Sequence, residues 1–483
     1  MRKIIGFTRS VAAFLTLALA GVAVAKGGAA IEGEPALSEA QRSAIDSIVR
    51  NATEDAGFPS LLVLIDRGGR TIYSQALGNA DLSFDIPASV ETAYAIGSIT
   101  KSFTGLAAVK LAYEGHLDLD ATVADYLPAY EGPGADVTVA RLLDHTSGIP
   151  NYTNEIPGIR SSLERRAYTR EEMVELFEDL PLNFEPGTRW SYTNSGYYLL
   201  GLIIETVSGT DYYDYLREHV FAPLGMERTY SGDYAEVIPR HARGYALTET
   251  GYVNAAPWHY LVPFSAGSLV STAADVVRYR RGVFHSEHFP PGLRAMVLET
   301  RPLAGGQESL YSLGGLVISE FAGRRKISHA GDIWGYTSDH AYYPDDDLTI
   351  VMLANRQADA PAMSSFEQKI ARVIFGVPQP EVQDLSLSEE ELGRYAGDFR
   401  LKPYIVGAEV YGFIARDGKL FIRFGGTGAE GPAIPLLAQG DGIFRAIFDD
   451  EWLFRFTGEP GAQKAGTLTM NYRGGTFHAE RAE

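Results

Sequence analysis

The sequence predicts an α/β fold, an antiparallel sheet flanked by helices with an inserted helical subdomain, followed by a small all-β barrel or sandwich at the C-terminal end. Strand-like runs stand at both ends of the first 380 residues, with mainly helical text from about 90 to 300 between them. One sheet assembled from distant segments and covered by helices has this order. The segment VPQPEVQD at 377–384 combines two prolines with polar residues and reads as a linker. Beyond it, alternating strand-like pieces continue to the end of the chain.

The first 25 residues carry Arg2, Lys3 and Arg9, an apolar stretch from Val11 to Val24, and Ala23-Val24-Ala25, the small-x-small form of a cleavage site. They predict a signal peptide, a mature chain from Lys26, and a periplasmic or secreted protein. The apolar stretch is shorter than the ~20 residues that a bilayer span needs, so no membrane span is expected in the mature chain. Leu37 to Ala56 has helical periodicity. PSLLVLID and TIYSQALG are β-rich and flank RGGR, which predicts a hairpin. Thr169-x-x-Glu172 and Thr272-x-x-Asp275 have the form of capping boxes. YSLGGLVI, RRKISHA, SDHAYYP and LTIVMLA read as returning strands, and 362–375 as a closing helix. After the linker come a third capping box, Ser388-x-x-Glu391, and GFIARDGKLFIRF, whose Asp417-Gly418 is a strong hairpin signal. The expected division is 1–25 signal peptide, 26–380 mixed sheet-and-helix domain and 381–483 barrel.

The chain has 483 residues, 45% of them hydrophobic, enough for a large core. Loss of the leader removes three positive charges and no acid, so 39 basic against 61 acidic residues leave −22. Such a surface repels phosphate backbones and excludes nucleic acid as the expected partner. With no cysteine, disulfides, thiol nucleophiles and cysteine metal sites are excluded together.

Chemistry concentrates in three places. In GSITKSFTG (97–105), Ser98 and Lys101 stand three apart at the start of an apolar helical run, so they share a face. A neutral lysine there would be a base, although neutrality costs roughly 4.6 kcal/mol at pH 7 unless burial lowers its pKa. A plain N-cap with a solvated lysine remains open on these residues alone. YTN occurs twice, at 152–154 and 192–194. Tyr192 is favoured because its loop is pinned to the helical run GYYLLGLIIETVSG, and a catalytic group must be held tightly. His329-Ala330-Gly331 ends the strand-like RRKISHA. Gly331 would let a substrate backbone approach, and the Asp332 N–H would be an oxyanion donor. A lone histidine is more often structural. No GxSxG elbow and no HExxH zinc motif occurs, and GTGAEG at 426–431 lacks the strand-to-helix context of a nucleotide loop.

The order Ser-x-x-Lys, Tyr-x-Asn, His-x-Gly resembles the serine hydrolases related to class C β-lactamases and penicillin-binding DD-peptidases. RLLDHTSGIPNY, FEPGTRWSYTNSGYYLLG and HAGDIWGYTSDHAYYPDDDLTIVMLAN are similar to stretches of that family, so the likeness runs from about 59 to 375. It implies a β-lactamase/transpeptidase-like fold and an acyl-serine mechanism without metal or other cofactor. Ser98 would be the nucleophile, Lys101 and Tyr192 the proton carriers, and His329, from the third motif, the fourth catalytic residue. Asn194, Gly331 and Asp332 would be substrate-binding, with the N–H groups of Ser98 and Asp332 as the oxyanion hole. RYAGDFR (394–400) resembles the lipocalin-like barrels appended to some members. His329 stands where β-lactamases carry lysine, and a carboxylate on Asp332 at ~6 Å and effective dielectric 20 would repel a substrate carboxylate by about 2.8 kcal/mol. Dedicated β-lactamase activity is therefore not expected. The expected substrate is a small molecule or short peptide, first a D-amino-acid peptide, then an ester or, weakly, a β-lactam. A non-catalytic sensor acylated by penicillin, or a protein binding a ligand in its barrel, is the alternative of another class.

Overall fold

A computed structural model of the chain describes residues 37–156, 159–163, 166–357, 363–405, 408–447, 449–458, 463–472 and 475–482. The expected signal peptide lies outside them. Among the described residues no helix is long and apolar enough to cross a membrane.

Ser38 caps α1 (Glu39–Asp55), whose Gln41 completes a capping box. β1 (Ser60–Arg67) and β2 (Arg70–Asp81) form the expected hairpin, and β3 (Ile86–Pro87) adds the edge. The buried α2 (Thr100–Tyr113) follows. A helical region then carries the two-residue strand β4 (Trp190–Ser191), α3 (Asn194–Ser208) and α4 (Ala273–His285). The chain returns to the sheet through β5 (Val317–Phe321), β6 (Arg324–Ile333), β7 (Tyr336–Tyr343) and β8 (Leu348–Ala354), then covers it with α5 (Met363–Phe375).

The sheet is antiparallel in the order β3-β2-β1-β8-β7-β6-β5, so segments nearly 300 residues apart pair at its centre, Leu64 opposite Val351. Both faces are covered, which explains the near-continuous apolar run of β1. Leu61, Val63 and Ile65 pack with Ile45 and Val49 of α1 and Phe366 and Ile370 of α5. Leu62 and Leu64 face the other way, into the core that holds Phe103 and Leu106 of α2. A buried ion pair, Lys326 to Glu367, ties β6 to α5, and Tyr343 Oη donates to the same carboxylate at 2.8 Å.

Two expectations need correction. YSLGGLVI is a strand only from Val317, because Gly314 and Gly315 turn beneath α2. A side chain at Gly105 would stand 2.7 Å from the Gly315 nitrogen, so the chain there is shaped by helix contact. Thr272 caps α4, but the Asp275 carboxylate turns to Arg228 N (2.8 Å) and Thr229 Oγ1 (3.0 Å). The boxes at Thr169 and Ser388 are complete.

After irregular chain from 376 to 388 and α6 (Glu389–Gly393), the last segment adds β9 (Gly397–Leu401), the short β10 (Tyr404–Ile405) and β11 (Val410–Arg416). It continues with β12 (Lys419–Phe424), β13 (Ile434–Gly440), β14 (Ile443–Ala446), β15 (Asp449–Thr457), β16 (Thr467–Tyr472) and β17 (Gly475–Arg481). All except β10 close an eight-stranded barrel. Asp417 and Gly418 both have positive φ, as the tight hairpin requires. Phe399, Phe413, Phe444, Phe454 and Phe456 pack together in the barrel core.

Candidate active site

Ser98 lies in a 3₁₀ turn (Gly97–Ile99) that feeds directly into α2. Gly97 has φ +50°, and a side chain on it would stand 3.0 Å from the Asp332 nitrogen. The turn can therefore press against β6 only because residue 97 is glycine. Lys101, one helical turn on, is fully buried; its Nζ lies 3.2 Å from Ser98 Oγ, 2.7 Å from Asn194 Oδ1 and 2.7 Å from the Ala266 carbonyl. Burial holds its pKa well below the usual lysine value. A neutral amine has two N–H groups and one lone pair. With two carbonyl-type oxygens taking the N–H groups, the lone pair is left for the Ser98 hydroxyl to donate to.

Asn194 is fixed at both ends of its amide, since its Nδ2 donates to Thr153 Oγ1 at 3.0 Å. Tyr192 packs its ring 4.8 Å from Lys101 Nζ and 4.3 Å from the His145 ring. The other candidate, Tyr152, is buried and donates its hydroxyl to the Val262 carbonyl at 2.6 Å. The two YTN copies are thus neighbours. The second presents Tyr192 and Asn194 beside Lys101, while the first supplies Thr153 as support.

His329 lies on β6, 5% exposed, with Nε2 2.6 Å from Tyr311 Oη and Nδ1 2.5 Å from the Ala330 carbonyl. A neutral ring protonated at Nδ1 satisfies both contacts. Its centroid is 6.4 Å from that of Tyr192. Gly331 corrects the expectation for it. The group that approaches is the chain's own Ile96 carbonyl, and a methyl there would also stand 2.5 Å from Ser338 Oγ. Asp332 lines the cleft on both sides of Ser98, and its carboxylate accepts from Thr337 Oγ1 at 2.7 Å.

The cleft has two lobes that share Ser98, Thr153, Asn194 and Asp332. The smaller, about 210 Å³, is lined by Ala266, Gly267 and Trp334; the larger, about 520 Å³, by Tyr192, Tyr311, His329 and side chains of the barrel.

Several site residues escaped the sequence reading. His145, in HTSG, accepts from Thr193 N at 3.2 Å through Nδ1, and its carbonyl accepts from Ser191 N at 3.0 Å, so it grips the chain on either side of Tyr192. Burial pushes its pKa well down and keeps it neutral. Its left-handed φ of +62° was the kind of feature that sequence does not announce. Tyr311 and Ala266 contribute a hydroxyl and a carbonyl that no motif marks. The barrel's part in the cleft had no local signal at all.

A two-faced antiparallel sheet with a helical region, and a serine, lysine and asparagine joined by hydrogen bonds at the start of a buried helix, define the serine-hydrolase class to which comparison also leads. The Beta-lactamase family model matches residues 45–372, about two thirds of the chain, and the chain belongs to that family. It is 28% identical over 335 residues to penicillin-binding protein 4* of Bacillus subtilis, covering 65% of this chain and 72% of that one. The octameric penicillin-binding protein homologue from Pyrococcus abyssi superposes with a TM-score of 0.62 at 25% identity, over 90% of this chain and 99% of that one. Coverage of 90% extends beyond residues 26–380 into the barrel. The D-amino acid amidase of Ochrobactrum anthropi, solved with L-phenylalanine amide, gives 0.62 at 25% identity over 70% of this chain and 99% of the other.

Proposed function

We propose that the protein hydrolyses an amide or ester through an acyl-serine, with a D-amino-acid amide or short peptide as first substrate class. The observation that carries this reading is the Lys101 amine, buried and held by Asn194 Oδ1 and the Ala266 carbonyl with its third position toward Ser98 Oγ. Ser98 Oγ attacks the substrate carbonyl carbon while its proton passes to Lys101. The C=O electron pair moves onto oxygen, opposite the N–H groups of Ser98 and Asp332, each such donor being worth about 3 kcal/mol in the transition state. Collapse breaks the C–N or C–O bond, and Tyr192 relays the proton to the departing nitrogen or oxygen. Water then attacks the acyl ester and returns the proton to Ser98. Asn194 orients Lys101. His329 and His145 are positioning residues, the one holding Tyr311 and the other the chain around Tyr192.

The relative that is a D-amino acid amidase supports an amide with a D-residue as substrate. The leader pattern of residues 1–25 supports export, and the irregular run from 376 to 388 supports a module boundary near 381. The test is hydrolysis of D-phenylalanine amide, its L-enantiomer and a phenylalanine ester by the wild type and by Ser98→Ala. Ser98-dependent turnover that favours the D-amide is expected. Equal rates for both enantiomers would remove the D-residue assignment, and turnover that survives Ser98→Ala would remove the mechanism.

A further inference from the structure

We infer that the C-terminal barrel builds the leaving-group side of the cleft into an aromatic subsite that selects amines or alcohols bearing an uncharged apolar group over those ending in a carboxylate. This rests on the acyl-serine reading above and deepens it. In that reading the departing group takes its proton from Tyr192, and Tyr192 lines the larger lobe but not the smaller. The leaving group therefore occupies the larger lobe.

That lobe is walled by Trp190 from β4 and by Tyr404, Tyr411, Phe424, Trp452 and Phe477 from the barrel segment. The rings brace one another. Tyr411 and Phe424 are 5.4 Å apart, Phe424 and Trp452 stack at 6.0 Å and 26°, and Trp190 meets Tyr404 at 6.0 Å. The wall is fixed in place. β10 pairs in parallel with β4, the strand that runs straight into Tyr192, and Trp190 N donates to the Pro403 carbonyl at 3.2 Å. Tyr404 Oη donates to the Glu308 carbonyl at 2.6 Å, and Arg372 of α5 grips the Glu451 carboxylate of β15 at 3.1 and 3.2 Å.

Charge points the same way. Asp332 and Asp339 line the lobe, and among the described residues no lysine or arginine does. Lys101 is buried behind Ser98 with its nitrogen engaged. A carboxylate ~6 Å from one of these at an effective dielectric of 20 loses about 100-fold in binding. A phenyl ring taken from water into the aromatic wall gains roughly 10- to 100-fold.

The test uses the full chain and three substrates with one D-phenylalanyl acyl group and different leaving groups: D-alanine, D-alaninamide and D-phenylalaninamide. Expected kcat/KM ratios are at least tenfold for D-alaninamide over D-alanine and about tenfold for D-phenylalaninamide over D-alaninamide. Asp332→Asn should shrink the first ratio. Phe424→Ala and Trp452→Ala should each pull the second toward one; Phe424 is 37% exposed, so its truncation spares the barrel core. Preference for D-alanine in the wild type, or a second ratio unchanged in both folded aromatic variants, would overturn the inference. Should an aromatic variant fail to fold, the wild-type ratios and Asp332→Asn decide alone. Ser98-dependent hydrolysis with flat ratios refutes only the subsite. Absence of hydrolysis of all three, with no acylation of Ser98, refutes the underlying reaction and the subsite with it.

Discussion

Gly331→Ala perturbs the seam on which the site depends. β6 lies against the turn that carries Ser98, with the Ile96 carbonyl packed onto Gly331. A methyl group at 331 would stand 2.5 Å from Ser338 Oγ, 3.0 Å from the Ile96 carbonyl carbon and nearer still to its oxygen. Ordinary C···O contact is about 3.3 Å, and the Ile96 oxygen is the nearest neighbour, so β6 and the turn must part by roughly 1 Å or more. Ser338 Oγ cannot simply turn away, because it donates to the same Ile96 oxygen at 2.8 Å. Overpacking of this kind costs about 1–3 kcal/mol of stability. The same shift moves Ser98 relative to the Asp332 N–H, and a misplacement near 1 Å costs about 10² in rate. The assay pairs thermal unfolding with the rate of Ser98 acylation by a fluorophosphonate. Gly323→Ala is the control: its positive φ (+74°) strains an alanine there but it faces open space, so it should lose stability without losing rate. A folded Gly331→Ala protein acylated at the wild-type rate would refute the reasoning.

Tyr192→Phe should lower kcat/KM by about 10² or more, as for loss of a positioned proton carrier. Tyr152→Phe should cost about 1 kcal/mol, seen in thermal unfolding, because it strands the Val262 carbonyl, and leave the rate within a few-fold. For Lys101, whose pKa is lowered by burial, the neutral form is the base, so kcat/KM should fall about tenfold per pH unit once pH drops below its folded-state pKa. Between that value and the unfolded value near 10.4, the unfolded chain binds more protons, so stability rises with pH; Lys101→Met should remove that part of the rise in unfolding temperature. Lys326→Met leaves Glu367 buried beside Tyr343 without its cation and should cost about 3–5 kcal/mol, most of it recovered in the Lys326→Met/Glu367→Met double variant by denaturant titration.

Much of this was legible in the chain. The continuous apolar runs of β1 and β8, the hairpins at Gly68-Gly69 and Asp417-Gly418, and the capping boxes at Thr169 and Ser388 are local physics, so sequence carries them. The spacing of Ser98 and Lys101 was enough to put both on one helix face. What sequence hid was contact between distant segments. Asn194 reaches Lys101 across 93 positions and Ala266 across 165, and neither distance leaves a periodic trace. Gly331 was recognised as a point of close approach, but only the fold shows that the partner is Ile96. His329 was visible as a motif residue, whereas its contact with Tyr311 depends on a turn that the β-like text of YSLGGLVI disguised. The aromatic wall of the larger lobe comes from a segment that, read alone, looked complete as a barrel.

The central claim is that Ser98 forms the acyl-enzyme with Lys101 as its neutral base. Its most direct test is mass spectrometry of the intact protein after a short incubation with a fluorophosphonate, followed by peptide mapping, for the wild type, Ser98→Ala and Lys101→Met. The account predicts one added probe mass on the peptide that contains Ser98, none in Ser98→Ala, and labelling slowed by about 10² or more in Lys101→Met. Label on another residue, label that persists in Ser98→Ala, or an undiminished rate in Lys101→Met would contradict it.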